Sequence, residues 1–307
     1  MNIIRTAKEL NAGQHKVSLA IGFFDGVHLG HQQIIRQTIA DARQPDGLAL
    51  VVTFDRHPNA VVAPARVPPL IYSLSQKLRA LEGLGADALL LIPFDKAFSE
   101  QPGEQFIRAL VRDLGQVQSL CVGANFVFGH RRAGNVALLK KLGAELHFSV
   151  HGMAAVSLDG SAVSSTRIRG LIRAGELDLA SQMLGRAYSL CGKVVAGDQL
   201  GRQLGFPTAN LDVAGLVLPP NGVYAIHLLA RGKTHRAVAN IGIRPTLQNP
   251  KPPLRVEAHL LGFDGNLYGE ELELVFREKL RDEMKFASVT ELKQQIARDI
   301  DRAKACF

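Results

Sequence analysis

The stretch "VSLAIGFFDGVHLGH", Val17 to His31, joins an apolar run to a turn that carries three glycines, one carboxylate and two histidines. The run from Val17 to Phe23 reads as a strand buried on both faces, and a helix follows from near Gly30. The turn then sits at the carboxyl end of a strand, where open α/β sheets bind ligands. His28 and His31 are three apart, so on a first helical turn they share a face and can point at one anion. Gly22 and Gly26 let the backbone approach a phosphate closely, and the helix N-terminus adds N–H donors and partial positive charge. From these residues alone a histidine-bearing turn, a metal site and a phosphate cradle all stay open. Zinc finds no compatible ligand spacing among His15, Asp25 and His57. The turn is neither a P-loop, lacking Gly-Lys-Ser/Thr, nor a Gly-x-Gly-x-x-Gly dinucleotide loop.

Outward from this turn, "LALVVTF", "ADALLLIPF" and "SLCVGANF" are further short apolar runs. Residues 31–42, 75–84, 103–114 and 135–142 between and after them have helical composition and spacing. Residues 1 to about 150 therefore read β-α-β-α, which predicts an α/β fold with a Rossmann-like, doubly wound parallel sheet. "STRIRGLIRAGELDLASQMLGR" reads as two short helices separated at Ala174 and Gly175. Beyond it come "SLCGKVV", "GVYAIHLLA", "THRAVANIG", "RVEAHLLGF" and "ELELVFREKL", strand-like runs punctuated by Gly, Pro and Asn. They predict an all-β, antiparallel barrel. A C-terminal helix over 289–305, with Leu292, Ile296, Ile300 and Ala303 in one stripe, closes it. The 307 residues suit two domains at roughly 150 residues each, placed at 1–184 and 185–307.

A formal net charge of +8 suits an anionic partner. There is no Lys/Arg run of five and no basic stripe interleaved with aromatics, which argues against a nucleic-acid partner. Cys121, Cys191 and Cys306 form no Cys-x-x-Cys pair, so a reducing compartment fits best. The longest apolar runs fall far below the ~18 residues of a membrane span, and the N-terminus has no apolar signal region. A cytoplasmic protein without a membrane partner is expected, as a monomer or weak homo-oligomer.

"GFFDGVHLGH" resembles the nucleotidylyltransferase signature in the form found in bacterial bifunctional riboflavin kinase/FAD synthetases. "TFDRHP" (53–58), "VGANFVFGHRRAGN" (122–135) and "VSSTRIR" (163–169) resemble further elements of that family, with Arg56 where proline is usual. The likeness spans essentially the whole chain. It implies nucleotide contacts from Gly22, Phe23, Asp25, Gly26, His28, His31, Ser164, Thr166, Arg167 and Arg169, with His28, His31 and Arg167 catalytic. It implies flavin contacts from Asn125, His57 and Pro58. The last motif has its own physical sense, since Ser164, Ser165 and Thr166 are good helix caps and the two arginines can clamp phosphates.

"GDQLGRQLGFPTANLDV" (197–213) is, as plain structure, a glycine-rich loop between strands. It also resembles the riboflavin kinase signature. That resemblance implies that Thr208 and Asn210 hold the Mg²⁺ of ATP and that the loop with Gly201 and Gly205 covers the phosphates. Two apart on an extended segment, Thr208 and Asn210 can face one side and offer the hard oxygen donors Mg²⁺ needs. "ANIGIRPT" (239–246) followed by "RVEAHLL" puts Glu257 at the family's general-base position. "LRDEMKFASVTELKQQIARDIDRA" (280–303) resembles the C-terminal loop and helix beside the flavin, with Arg281 as an implied flavin contact.

The implied function is twofold. The C-terminal domain would convert riboflavin and ATP to FMN and ADP. The N-terminal domain would join FMN to the AMP of a second ATP, giving FAD and pyrophosphate. The alternative is a nucleotidylyltransferase for another phosphorylated small molecule with a flavin-binding regulatory β domain, which leaves "GFPTAN" and "NIGIRPT" unexplained.

Overall fold

The apolar runs around the first turn become the middle strands of a six-stranded sheet in the computed structural model, which describes residues 1–197, 199–243 and 254–307. In chain order the elements are β1 (Asn2–Ile4), β2 (Lys16–Ile21), α1 (Leu29–Asp41), β3 (Gly47–Phe54), α2 (Leu74–Glu82), β4 (Ala88–Ile92), α3 (Gly103–Leu114), β5 (Gln116–Gly123), α4 (Val136–Leu146) and β6 (Ser149–Met153). The spatial order is β1-β4-β3-β2-β5-β6, with every pair parallel. The chain runs outward from β2 through β3 and β4, then returns to lay β5 and β6 on the other side. The crevice beyond β2 and β5 is therefore the topological switch point.

Both faces of the sheet are covered, as continuous apolar strands require. Val17, Leu19, Ile21, Leu120 and Val122 pack with Ile107, Leu110 and Leu139 on one face. Ala20, Val51, Leu89 and Cys121 pack with Ile34, Ile35 and Leu81 on the other. Edge strands β1 and β6 had no counterpart among the predicted strands. β1 is three residues long, and β6, "SVHGM", is only partly buried, so neither carries an apolar run.

The second half forms α5 (Ser165–Ala174), α6 (Leu177–Leu184), β7 (Ser189–Val195), α7 (Leu200–Leu204), β8 (Ala209–Asp212), β9 (Gly222–Ala230), β10 (Lys233–Ile243), β11 (Leu254–Leu260), β12 (Glu271–Arg281) and α8 (Val289–Lys304). The six strands close in the order β7-β8-β11-β10-β9-β12, all neighbours antiparallel. The expected barrel and its closing helix are both present. Part of "ANIGIRPT" (residues 244–246) and Asp198 of the glycine-rich loop lie outside the described residues.

By contacts the chain divides into a sheet unit, Met1–Leu70 with Leu74–Ser165, and a barrel unit, Ile71–Ser73 with Thr166–Phe307. The three-residue insert is anchored within the barrel unit. Tyr72, 2% exposed, accepts a 3.0 Å hydrogen bond from Arg186 Nε, and the guanidinium lies over its ring.

One close approach sets the fit of the barrel wall. A Cβ on Gly192 of β7 would lie 2.6 Å from the carbonyl oxygen of Asp212 on β8. Gly192→Ala is expected to destabilise the barrel by about 1–3 kcal/mol, measured by urea unfolding followed by circular dichroism.

Candidate active sites

Beyond β2 the backbone turns through conformations that L-residues avoid. Phe24 has φ 54°, Gly26 φ 76° and Val27 φ 43°; for a β-branched residue such as Val27 this is a genuine outlier. The turn is held through its carbonyls. Thr53 Oγ1 donates to Phe23 O at 3.1 Å, Ser165 Oγ to Asp25 O at 3.1 Å and Gln32 Nε2 to Val27 O at 2.9 Å. Lys77 Nζ adds a bond to Phe23 O at 3.2 Å.

His28 caps α1, its ring accepting from the His31 N–H at 3.4 Å, so the helix starts at Leu29, one residue ahead of Gly30. The two imidazoles stack with centroids 3.6 Å apart, and Phe24 meets His31 edge-on at 5.3 Å. The expected shared face of His28 and His31 is present. Their rings lie at a helix N-terminus beyond a strand end, an arrangement suited to anionic oxygen.

His57 and Pro58 follow β3, on the strand next to β2. The His57 ring meets Phe23 edge-on at 4.9 Å and accepts from the Asn59 N–H at 3.0 Å. Arg56, the departure from the family pattern, pairs with Asp55 at 2.9 Å. Burial opposes ionisation of Asp55, yet Arg56 and the Phe94 N–H hold its carboxyl below the usual range. Asn125 is exposed just past β5, on the other side of the switch point.

The motif "VSSTRIR" is divided. Ser164 and Ser165 belong to the sheet unit, and Ser165 bonds the Asp25 carbonyl. Thr166, Arg167 and Arg169 lie in the first turns of α5 and are counted with the barrel unit; Arg169 is buried and Arg167 partly so.

In the barrel unit a cavity of about 500 Å³ is lined by Gly197, Gln199, Arg202, Thr208, Asn210 and Phe263, among others. A second cavity of about 350 Å³ shares Gln199, Thr208 and Asn210 with it. Its own walls include Phe206, Asn240, Glu257 and Phe286, with Leu292, Ile296 and Ile300 of α8. Three residues of the apolar stripe on α8 thus line a cavity, while Ala303 packs in the core.

The polar groups converge on the shared wall. Thr208 Oγ1 donates to Glu257 Oε2 at 3.5 Å, a long contact. Glu257 pairs in register with Asn210 on β8 and with Asn240 on β10. The glycine-rich loop is drawn tight against this wall. A Cβ on Gly197 would lie 2.3 Å from Asn210 Nδ2, and one on Gly201 would lie 2.5 Å from Phe206 O and 3.1 Å from Thr208 Oγ1. Gly205, at φ 90°, ends α7 in the left-handed region.

The donors there are a hydroxyl, an amide and a carboxylate. Among the described residues no group of three His, Cys, Asp or Glu is placed to hold a metal ion. Such a set fits a hard cation whose remaining ligands come from phosphate.

Arg281 also lines the second cavity, engaged with Asp299 of α8 through Nε–Oδ1 at 2.9 Å and Nη2–Oδ2 at 2.7 Å. Gln295 supports that carboxylate at 2.9 Å. Sequence reasoning missed Asn240, although it lies inside the quoted "ANIGIRPT". It also missed Lys77, for which a lone lysine on a helix gives no signal.

Comparison with known proteins matches the two halves of the chain to two family models. A family model described as FAD synthetase matches residues 10–167, and one described as riboflavin kinase matches residues 184–307. A bifunctional riboflavin kinase/FMN adenylyltransferase of Escherichia coli is 38% identical over 309 residues, covering 100% of this chain and 98% of that protein. Its counterpart in Haemophilus influenzae is 36% identical over 308 residues, covering 100% and 99%. Among solved structures, one described as a macrolide-efflux protein from Streptococcus pneumoniae aligns with a TM-score of 0.82 at 27% identity, over 99% of both chains. No helix of the described residues is long and apolar enough to cross a membrane.

The Arg281–Asp299 pair yields a test of the cavity wall. With side chains 17% and 7% exposed, removal of one partner strands a largely desolvated charge. Asp299→Ala is expected to cost about 3 kcal/mol of barrel stability, read from thermal unfolding.

Proposed function

The chain belongs to the family of bifunctional riboflavin kinase/FMN adenylyltransferases, and from that premise we propose that it makes FMN in the barrel unit and FAD in the sheet unit. The observation that carries the reading is the pair of cavities joined at Thr208 and Asn210, with Glu257 on the same wall. One suits a polyphosphate under a glycine-rich loop. The other, lined by Phe206, Phe286 and the apolar face of α8, suits a flat aromatic ring system.

For FMN formation, ATP lies in the first cavity and riboflavin in the second. Thr208 Oγ1 and the Asn210 side chain would hold Mg²⁺, which supplies charge neutralisation on the polyphosphate. Glu257 accepts the proton of riboflavin's primary 5′-hydroxyl while that oxygen bonds to the γ-phosphorus. The bond from the γ-phosphorus to the bridging oxygen breaks, and ADP departs with the electron pair. Gly201 and Gly205 let the loop lie over the phosphates, and Arg281, braced by Asp299, borders the flavin.

For FAD formation, the FMN phosphate is already an anionic nucleophile, so positioning and charge stabilisation carry the rate. Its oxygen attacks the α-phosphorus of a second ATP, and the bond to pyrophosphate breaks. His28 and His31, with the turn residues Gly22, Phe23, Asp25 and Gly26, bind the phosphates. The family resemblance adds Ser164, Thr166, Arg167 and Arg169 as nucleotide contacts and Asn125, His57 and Pro58 as flavin contacts. We place the boundary between activities at 184/185, which the start of the riboflavin kinase match at residue 184 supports. That Cys121, Cys191 and Cys306 form no disulfide supports a reducing, cytosolic setting, and a monomer or weak homo-oligomer serves this chemistry without nucleic acid.

Incubation of the purified chain with riboflavin, ATP and Mg²⁺, with products separated by chromatography, is expected to give FMN and then FAD; formation of neither refutes the reading. Glu257→Ala and Asn210→Ala are expected to slow FMN formation by about 10²-fold or more while leaving FAD formation from supplied FMN intact. Equal loss of both activities in a folded variant counts against the division of labour. The double variant His28→Ala, His31→Ala is expected to accumulate FMN, and FAD production at the normal rate removes these histidines from the mechanism.

A further inference from the structure

Lys77 of α2 has no part in the reactions assigned above, yet it is 3% exposed. Its ammonium donates to Phe54 O at 2.8 Å, Phe23 O at 3.2 Å and Thr53 Oγ1 at 3.4 Å. All three protons are thereby used. The nitrogen also lies 4.4 Å from the centroid of the Phe23 ring, within cation–π range. Every one of these partners is neutral. Burial pushes the ammonium down to about 8, with Asp25 and Asp55 acting in the opposite direction.

A methionine would fill the same volume without desolvating a charge, so packing alone does not account for a lysine here. What the ammonium joins is informative. Phe23 opens the left-handed turn before His28, while Thr53 and Phe54 end β3 just ahead of His57. The Phe23 ring itself rests on His57. One cation therefore fastens together the two loops that carry His28, His31 and His57.

We propose that Lys77 is a positioning residue for adenylyl transfer: its ammonium clamps the Phe23 carbonyl to the end of β3 and fixes where His28 and His31 meet the nucleotide phosphates. This rests on the assignment of adenylyl transfer to the sheet unit. A clamp of this kind acts on the geometry of the reacting complex, so its loss falls on kcat more than on KM.

The test uses the full chain with Lys77→Met and Thr53→Val, and follows FAD formation from FMN, FMN formation from riboflavin, and thermal unfolding. Lys77→Met is expected to lower kcat for FAD formation by about 10²-fold, with KM for FMN and ATP within about threefold and FMN formation unchanged. Where Lys77→Met unfolds the sheet unit, Thr53→Val decides. It keeps the ammonium and its direct bond to Phe23 O but removes the hydroxyl that accepts from Lys77 Nζ and donates to the same carbonyl, so two of the bonds that tie the turn to the end of β3 are lost, and a kcat loss of about tenfold at unchanged KM supports the clamp. A folded Lys77→Met with wild-type kcat overturns it, as does an unaltered Thr53→Val where Lys77→Met unfolds. Wild-type protein that makes FMN but no FAD overturns the adenylyl-transfer assignment and the clamp with it.

Discussion

The turn between β2 and α1 is held in a conformation its residues disfavour because other elements take its carbonyls. Left-handed backbone at a non-glycine residue costs on the order of 1–3 kcal/mol, and Phe24 and Val27 both adopt it. Against that cost stand the bonds from Thr53 and Lys77 to Phe23 O, from Ser165 to Asp25 O and from Gln32 to Val27 O. These donors come from β3, α2, the first residue of α5, and α1. The sheet unit can therefore present stacked imidazoles at a helix N-terminus only when four separate pieces of chain are in register.

The barrel unit meets the same demand with a different device. There the backbone comes close to Asn210 and Thr208 because Gly197 and Gly201 have no Cβ, and the polar groups are fixed by antiparallel register. Asn210, Glu257 and Asn240 occupy aligned positions on β8, β11 and β10, so strand pairing alone sets their spacing. Strained turn and strand ladder both give pre-organised polar groups, and each reflects the sheet that carries it. Parallel strands point their ends at a crevice, whereas a closed antiparallel barrel offers its wall.

Much of this was legible in the sequence because burial writes a pattern. Strands β7 and β9 fall on the very residues of the runs "SLCGKVV" and "GVYAIHLLA", and the break at Ala174 and Gly175 separates α5 from α6. Edge strands β1 and β6 left no such pattern, since strands with one neighbour and partial exposure need no apolar run. The stripe on α8 predicted a covered face but not a cavity, because periodicity says which side is apolar and not what lies against it. Lys77 is the extreme case. A lysine on an amphipathic helix reads as solvated, and only the convergence of two distant strand ends reveals it as buried. Arg56 shows the converse, since a conspicuous substitution is absorbed locally by its neighbour Asp55.

The insert Ile71–Ser73 makes the backbone change units three times, after Leu70, after Ser73 and after Ser165. Modularity by activity and modularity by contact are consequently different properties of this protein. A single crossover near residue 184, where the riboflavin kinase match begins, would part Arg186 from Tyr72. Recombination between distant relatives must therefore carry a compatible tyrosine and arginine across the splice, so inheritance of the two halves is linked through this one pair of side chains.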